Sequence, residues 1–229
     1  MWTGANMLHC TNFHPADGTS WTDTCQWSEA ALTHLPEVLK HYPADSDQNA
    51  FSLFRTLVYK EADQTYAPVL GSAQSSINAI HVNFSLELIC MANVIVEDLW
   101  SYDNALPWME AIMAAVEQNQ VKVRAIEENA NSNGLENRVA ILVFTDELEK
   151  RGLEDFVKIQ FFNGWVHAKT ALIDQELLIL GSQNFHFSSW GEKGLNEYSV
   201  ATDDSEAITL YQNSAQNIKH TASSHVETV

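Results

Sequence analysis

The sequence predicts an α/β fold, a mixed β-sheet flanked by helices. From about residue 66 onward, stretches with apolar residues at helical spacing alternate with stretches of period two. Three strand-like runs then follow in close succession, at 156–162, 165–173 and 177–180, with a further strand and a helix behind them. Helices alternating with strands, then several adjacent strands, make a layered sandwich around a mixed sheet. The apolar content of 45% over 229 residues is enough to build its core. No fixed-period repeat interrupts this plan.

Residues 1–64 read as an incomplete piece. They open on a glycine turn, pass through a Trp/His/Asp-rich stretch and reach a helical run near 27–41. A polar loop at 43–47 precedes a second helical run over 48–60. Residues 65–220 read as a complete domain. A short helix at 72–79 leads into a strand at 79–84. Asp103 and Asn104 cap a helix running to about Glu117, with Leu106, Met109, Ile112, Met113 and Val116 at helical spacing. Residues 121–126 alternate apolar and polar, as a strand does. Asn133-Gly134 starts a helix with Leu135, Val139, Leu142 and Val143 on one side, ending near Arg151-Gly152. A strand at 195–202 and a helix at 205–218 complete the domain. The small, polar tail at 221–229 is expected to be disordered.

The net charge of −18 argues against a general nucleic-acid binder, because phosphate contacts rely on Lys and Arg. It argues equally against loose adhesion to anionic lipid. Neither point touches a single pocket, where two or three cations suffice to hold a phosphate. Cys10, Cys25 and Cys90 are odd in number and widely spaced, with no CxxC pair, so neither a zinc site nor a disulfide framework is expected. The start lacks the basic region and apolar run of a signal peptide, and no run of about 18 apolar residues exists. A cytoplasmic location is expected, at most peripheral to a membrane.

The chemistry concentrates between His167 and Asn184. In Val166-His167-Ala168-Lys169, strand alternation puts His167 and Lys169 on one face and Ala168 on the other, toward a packed interior. Asp174 lies at the strand end. The next strand ends in Gly181-Ser182-Gln183-Asn184, and a hairpin between the two returns Ser182 and Asn184 to the edge that carries His167 and Lys169. This set suits a phosphodiester. Lys169, the Asn184 amide and turn N–H groups can neutralise and orient the phosphate. A neutral His167 can then attack phosphorus, and a second acid must protonate the leaving oxygen.

These residues carry a resemblance. His167, Lys169, Asp174, Gly181, Ser182 and Asn184 match the HxKxxxxDxxxxxxGSxN signature of the phospholipase D-like superfamily at every fixed position. Asn196-Glu197 sits where such proteins carry a downstream carboxylate. The likeness covers about residues 66–218, one lobe. It implies a metal-independent phosphodiesterase or phosphatidyltransferase that works without a cofactor through a phosphohistidine intermediate. The family uses two lobes whose motifs meet at one site, with one histidine as nucleophile and the other as general acid. Lysines and asparagines hold the phosphate.

The chain departs from that pattern by carrying one His-x-Lys. Thr3-Gly4-Ala5-Asn6 is similar to the Gly-Ser-x-Asn end of a motif, and Trp21-Thr22-Asp23 resembles the segment after a first motif in cardiolipin-synthase-like proteins. Residues 1–64 are therefore expected to be the remnant of a first lobe, with Asn6 as its phosphate contact. The partners implied are a phospholipid or other phosphodiester, with a missing first lobe or a second copy of the chain. The alternatives are a non-catalytic remnant or subunit, and a phospholipase D-type nuclease.

Simpler readings stand beside several of these residues. Asp174 serves equally as a turn residue, and Glu197 as a solvated strand residue rather than a support for an imidazole. Ser182 supports its turn, since no GxSxG elbow is present. A metal between His167 and Asp174 is disfavoured by Lys169. Trp165, Trp190 and Phe185-His186-Phe187 are core or rim aromatics before they are a head-group cleft. Glu127 and Glu128 read as solvated surface.

Overall fold

The computed structural model describes residues 8–10, 25–27, 50–56, 60–87, 100–128, 134–162, 166–190, 194–222 and 226–228. The chain divides into two compact units, Met1–Asp47 and Gln48–Val229. In the first, β1 (Leu8–Cys10) and β2 (Cys25–Trp27) form an antiparallel pair. Asn6, Trp21-Thr22-Asp23 and residues 28–41 of the expected first helix lie outside the described residues.

The second unit is built on an eight-stranded sheet. Its strands are β3 (Ala50–Arg55), β4 (Ser76–His81), β5 (Lys122–Glu128), β6 (Val157–Phe162), β7 (Lys169–Ile173), β8 (Leu177–Gly181), β9 (Glu197–Thr202) and β10 (Val226–Thr228). They lie in the order β10-β6-β5-β4-β7-β8-β9-β3. The pairs β4–β5 and β5–β6 are parallel, and every other pairing in the sheet is antiparallel. The fold class is thus the mixed, helix-flanked sheet that the periodicity predicts.

One face of the sheet is covered by α1 (Glu61–Gly71), α2 (Pro107–Asn119) and α3 (Gly134–Arg151). Proline at the first position of α2 costs no hydrogen bond, because that N–H has no partner within the helix. The helix buries Trp108, Met109, Ile112, Met113, Ala115 and Val116 and ends on Gln120 in the left-handed region. The other face meets α5 (Ser205–Ala222). There Leu172, Leu178 and Ile208 pack with Tyr211, and Ile80, Ile126 and Val166 pack with Ala168, Tyr211 and Ala215. A single turn, α4 (Phe187–Trp190), follows β8.

Several elements differ from the sequence expectation, each for a physical reason. The expected helix at 48–60 is instead β3, which pairs with β9 from Ala50 opposite Thr202 to Arg55 opposite Glu197. Leu53 and Arg55 are buried on the inner face, a period of two. The helix expected at 72–79 lies earlier, because Ala62, Tyr66 and Leu70 form its buried stripe at i, i+4 spacing. Residues 72–75 are then the turn into β4. In α3, Leu135 and Leu142 are 59% and 53% exposed, whereas Val139, Val143, Phe144 and Asn137 face inward. The tail is not wholly irregular: α5 continues to Ala222, and β10 pairs antiparallel with β6.

Candidate active site

His167 lies in extended chain just before β7, and Lys169 is the first residue of that strand. Val166 and Ala168 pack under α5, so alternation turns His167 and Lys169 toward the opposite side of the sheet. His167 is exposed, while Lys169 is buried, only 9% exposed. The Lys169 Nζ stands 3.4 Å from His167 Nε2 and donates to the His167 carbonyl at 3.2 Å. An ammonium group only donates, so the neighbouring Nε2 is the ring nitrogen suited to carry the free lone pair. Burial lowers the Lys169 pKa below the ordinary lysine value, and the Glu197 and Glu128 carboxylates oppose that shift.

The β7–β8 hairpin brings the second half of the motif to the same edge. Its turn has Asp174 and Gln175 at φ 52° and 65°, with Glu176 N–H donating to Ile173 O at 3.0 Å. Positive φ at both central positions matches the twist of the strands. The register carries Gly181 opposite Ser199 of β9. A Cβ on Gly181 would collide with Ser199 and the Tyr198 carbonyl, so this approach of the strands requires glycine. Ser182 N–H donates to Tyr198 O, and Tyr198 N–H donates to Ser182 Oγ, both at 2.9 Å. The Ser182 hydroxyl in turn donates to Glu197 Oε2.

Glu197 is buried, and Ser189 Oγ donates to its other oxygen at 2.6 Å. Two hydroxyls therefore hold one carboxylate within the field of Lys169. Asn184 is fixed through its backbone, whose carbonyl accepts from Trp190 Nε1 at 2.6 Å. Its side-chain Oδ1 is buried without a hydrogen-bond partner. The following residues are fastened to the end of β4: Ser85 N–H donates to Phe185 O at 2.9 Å, and Phe187 N–H donates to Ser85 Oγ at 2.7 Å.

Asp174 is not part of this cluster. It sits at the far end of β7, where its carboxylate accepts from the backbone N–H groups of Gln74, Ser75 and Ser76 and from the Ser75 hydroxyl. Burial raises its pKa, but these donated bonds outweigh that and leave it below the ordinary aspartate value. In this position Asp174 ties the hairpin to the α1–β4 connection, as its turn-residue reading has it, at the opposite end of β7 from His167.

Three groups at this edge were not foreseen. Glu127 and Glu128 are buried, not solvated. Burial raises the Glu128 pKa while His167 and Lys169 lower it, so this carboxylate shares the field of the site. His81 stands opposite Lys169 on one side and opposite Glu127 on the other. It is wholly buried and stacked on Phe185 at 3.7 Å, with neither ring nitrogen hydrogen-bonded. Burial lowers its pKa to about 3, and Lys169 adds to the shift. The available signal was position: all three lie at the carboxyl ends of parallel strands, where open α/β sheets place their ligands. Trp190 and Phe185 are core aromatics packed near Tyr66, and His186 lies 3.3 Å from Glu136. Trp165 lies outside the described residues. Among the described residues no cluster of His, Cys, Asp and Glu forms a metal site, and no helix is long and apolar enough to cross a membrane.

Among solved structures, the chain is similar to the phospholipase D family member Nuc of Salmonella typhimurium, with a TM-score of 0.58 and 14% identity over 80% of this chain and 99% of that one. It is similar to NucT of Helicobacter pylori, with a TM-score of 0.54 and 18% identity over 76% and 97%. The phosphatidylserine synthase of Haemophilus influenzae Rd KW20 aligns with a TM-score of 0.57 and 11% identity over 87% of this chain but 46% of its own. At these identities the likeness shows a shared fold. No curated protein matches the chain significantly. The family model described as "Cardiolipin synthase, PLD-like domain" matches residues 68–219, the span that holds every element of the site just described. The chain is therefore a member of the phospholipase D-like superfamily, in its cardiolipin synthase-like domain family.

Proposed function

We propose that this chain is a metal-independent phosphodiesterase or phosphatidyltransferase acting on phospholipid-type phosphodiesters through a phosphohistidine at His167. The observation that carries the reading is the pairing of an exposed imidazole with a buried ammonium 3.4 Å away. Lys169 binds the phosphate oxygens and lowers the cost of bringing a nucleophile to an anion. His167 Nε2 forms a bond to phosphorus as the ester P–O bond breaks, and the leaving oxygen takes a proton from a second acid. Water or an alcohol then attacks phosphorus, loses its proton to that same group and frees His167. Ser182 and Asn184 complete the phosphate cradle, and Glu197 fixes Ser182. Lipid chemistry is favoured by the family description and by the net charge of −18.

These 229 residues carry one His-x-Lys, so the second acid is assigned to a group outside that motif. It comes from a second copy of the chain or from a first lobe that carries its own motif, while residues 48–64, which the sequence reading assigned to that lobe, belong to the same unit as His167. The single motif favours a second reading, a subunit that binds without turnover. Assay on a chromogenic phosphodiester in EDTA decides between them. Turnover that vanishes in His167→Ala, with acid-labile phosphate trapped on His167, supports the enzyme. A folded protein without turnover at any concentration supports the subunit, and turnover abolished by EDTA overturns the mechanism.

A further inference from the structure

A cleft lies between α5 and strands β4, β5 and β6, on the sheet face opposite the one toward which Lys169 turns. It is a run of two adjoining hollows of about 430 and 220 Å³, which share Asn78, Arg124, Tyr211 and Ala215 in their walls. The larger falls within the size range of small-molecule sites, and the smaller extends it. The cleft holds Lys122, Arg124 and Lys158, three of the twelve cations of a chain with net charge −18.

Their arrangement is costly without a ligand. Arg124 and Lys158 stand directly opposite each other in the parallel β5–β6 ladder. Like charges in that position repel. Lys122 is two residues before Arg124 on β5, hence on the same face. Among the described residues no carboxylate pairs with any of the three. An acidic protein has abundant carboxylates with which to neutralise such a row, and none of the described ones does. The sheet context adds a second oddity. Parallel strands are normally covered on both faces, yet Lys122, Arg124 and Lys158 are all exposed.

We propose that this cleft binds a phosphomonoester, as a site separate from the His167 centre. A guanidinium and an ammonium converging from adjacent strands fit one compact dianion better than two separate monoanions. The amides of Asn78, Gln160 and Gln212 and the ring of Tyr211 then face the organic remainder. The phosphate arrives on a soluble molecule or on a lipid headgroup, and the chemistry at the cleft is the same.

The test uses the full chain carrying Lys169→Ala, which silences phosphate binding at the other centre. Glycerol 3-phosphate is titrated with backbone amide NMR as the readout, and sedimentation with phosphatidylcholine vesicles with and without phosphatidic acid runs in parallel. Binding of either probe is expected, weakened at least tenfold by Arg124→Gln and by Lys158→Gln. Binding of glycerol 3-phosphate assigns a soluble ligand, and binding of phosphatidic acid vesicles alone assigns a lipid headgroup. Lys158→Gln is also expected to raise the melting temperature of the free protein, because it relieves the repulsion, while removing the further rise produced by the bound probe. The proposal is overturned if neither probe binds, or if binding persists unchanged in both cleft variants.

Discussion

A buried imidazole beside a buried carboxyl group sets the acid response of this protein at the level of single residues. Folding holds His81 at a pKa of about 3 against an ordinary 6.5. Below the ordinary value the unfolded chain binds the extra proton, so stability is full above about 6.5 and is lost as pH falls toward 3. Between pH 7 and pH 4 the loss is roughly 3 kcal/mol. The variant His81→Leu should flatten this part of the urea-midpoint curve relative to wild type. Glu127 has the opposite sign. Burial, with help from Glu128, raises its pKa well above normal, so the folded state keeps a proton that the unfolded state releases. Its favourable contribution is present below about 4.5 and fades as pH rises through the folded value. Glu127→Gln should therefore gain on wild type as the pH is raised. Asp174→Ala removes an acceptor shared by three backbone N–H groups and a hydroxyl, and should cost about 1–3 kcal/mol. If Asp174 only ties the hairpin, turnover per folded molecule survives; a catalytic role would abolish it at unchanged melting temperature. His167, Lys169 and the Gly-Ser-x-Asn turn were legible because strand alternation and a short hairpin are local. His81 and Glu127 were not, since their meaning depends on which strands become neighbours.

At the level of elements, the site depends on how closely β8 and β9 approach. Gly181→Ala forces Ser199 and the Tyr198 carbonyl away, and with them the bonds that link Ser182 to Glu197. The expected result is a destabilisation of about 1–3 kcal/mol, with a loss of turnover greater than the unfolded fraction explains. Circular dichroism melts alongside kcat would read both. A second brace is Asn137 on α3, which accepts from Phe84 N–H at 2.8 Å and donates to the Val82 and Glu128 carbonyls at 3.0 and 2.9 Å. This inward amide also explains why the exposed stripe of α3 includes Leu135 and Leu142. Hydrophobic spacing places a helix, but a buried polar anchor sets its rotation. The same limit explains β3. Its sequence allows a helix or a strand, and the open side of β9 decides.

For the whole molecule, a single His-x-Lys makes turnover a property of an assembly if the second acid belongs to another copy. Specific activity should then rise with protein concentration and parallel the dimer fraction seen by light scattering. Activity independent of concentration in a monodisperse monomer would place the acid within the chain. With −18 net charge, self-association should strengthen as salt screens the repulsion between copies.

The last strand has a practical corollary for handling the protein. β6 would present a bare row of amides and carbonyls at the margin of the sheet if β10 did not hydrogen-bond to it. Trimming the residues after Ala222, or fusing a bulky affinity tag that pulls Val226–Thr228 away, would leave that margin free to recruit a strand from another molecule. Insoluble or slowly aggregating material would then report a lost guard on the sheet rather than a damaged core.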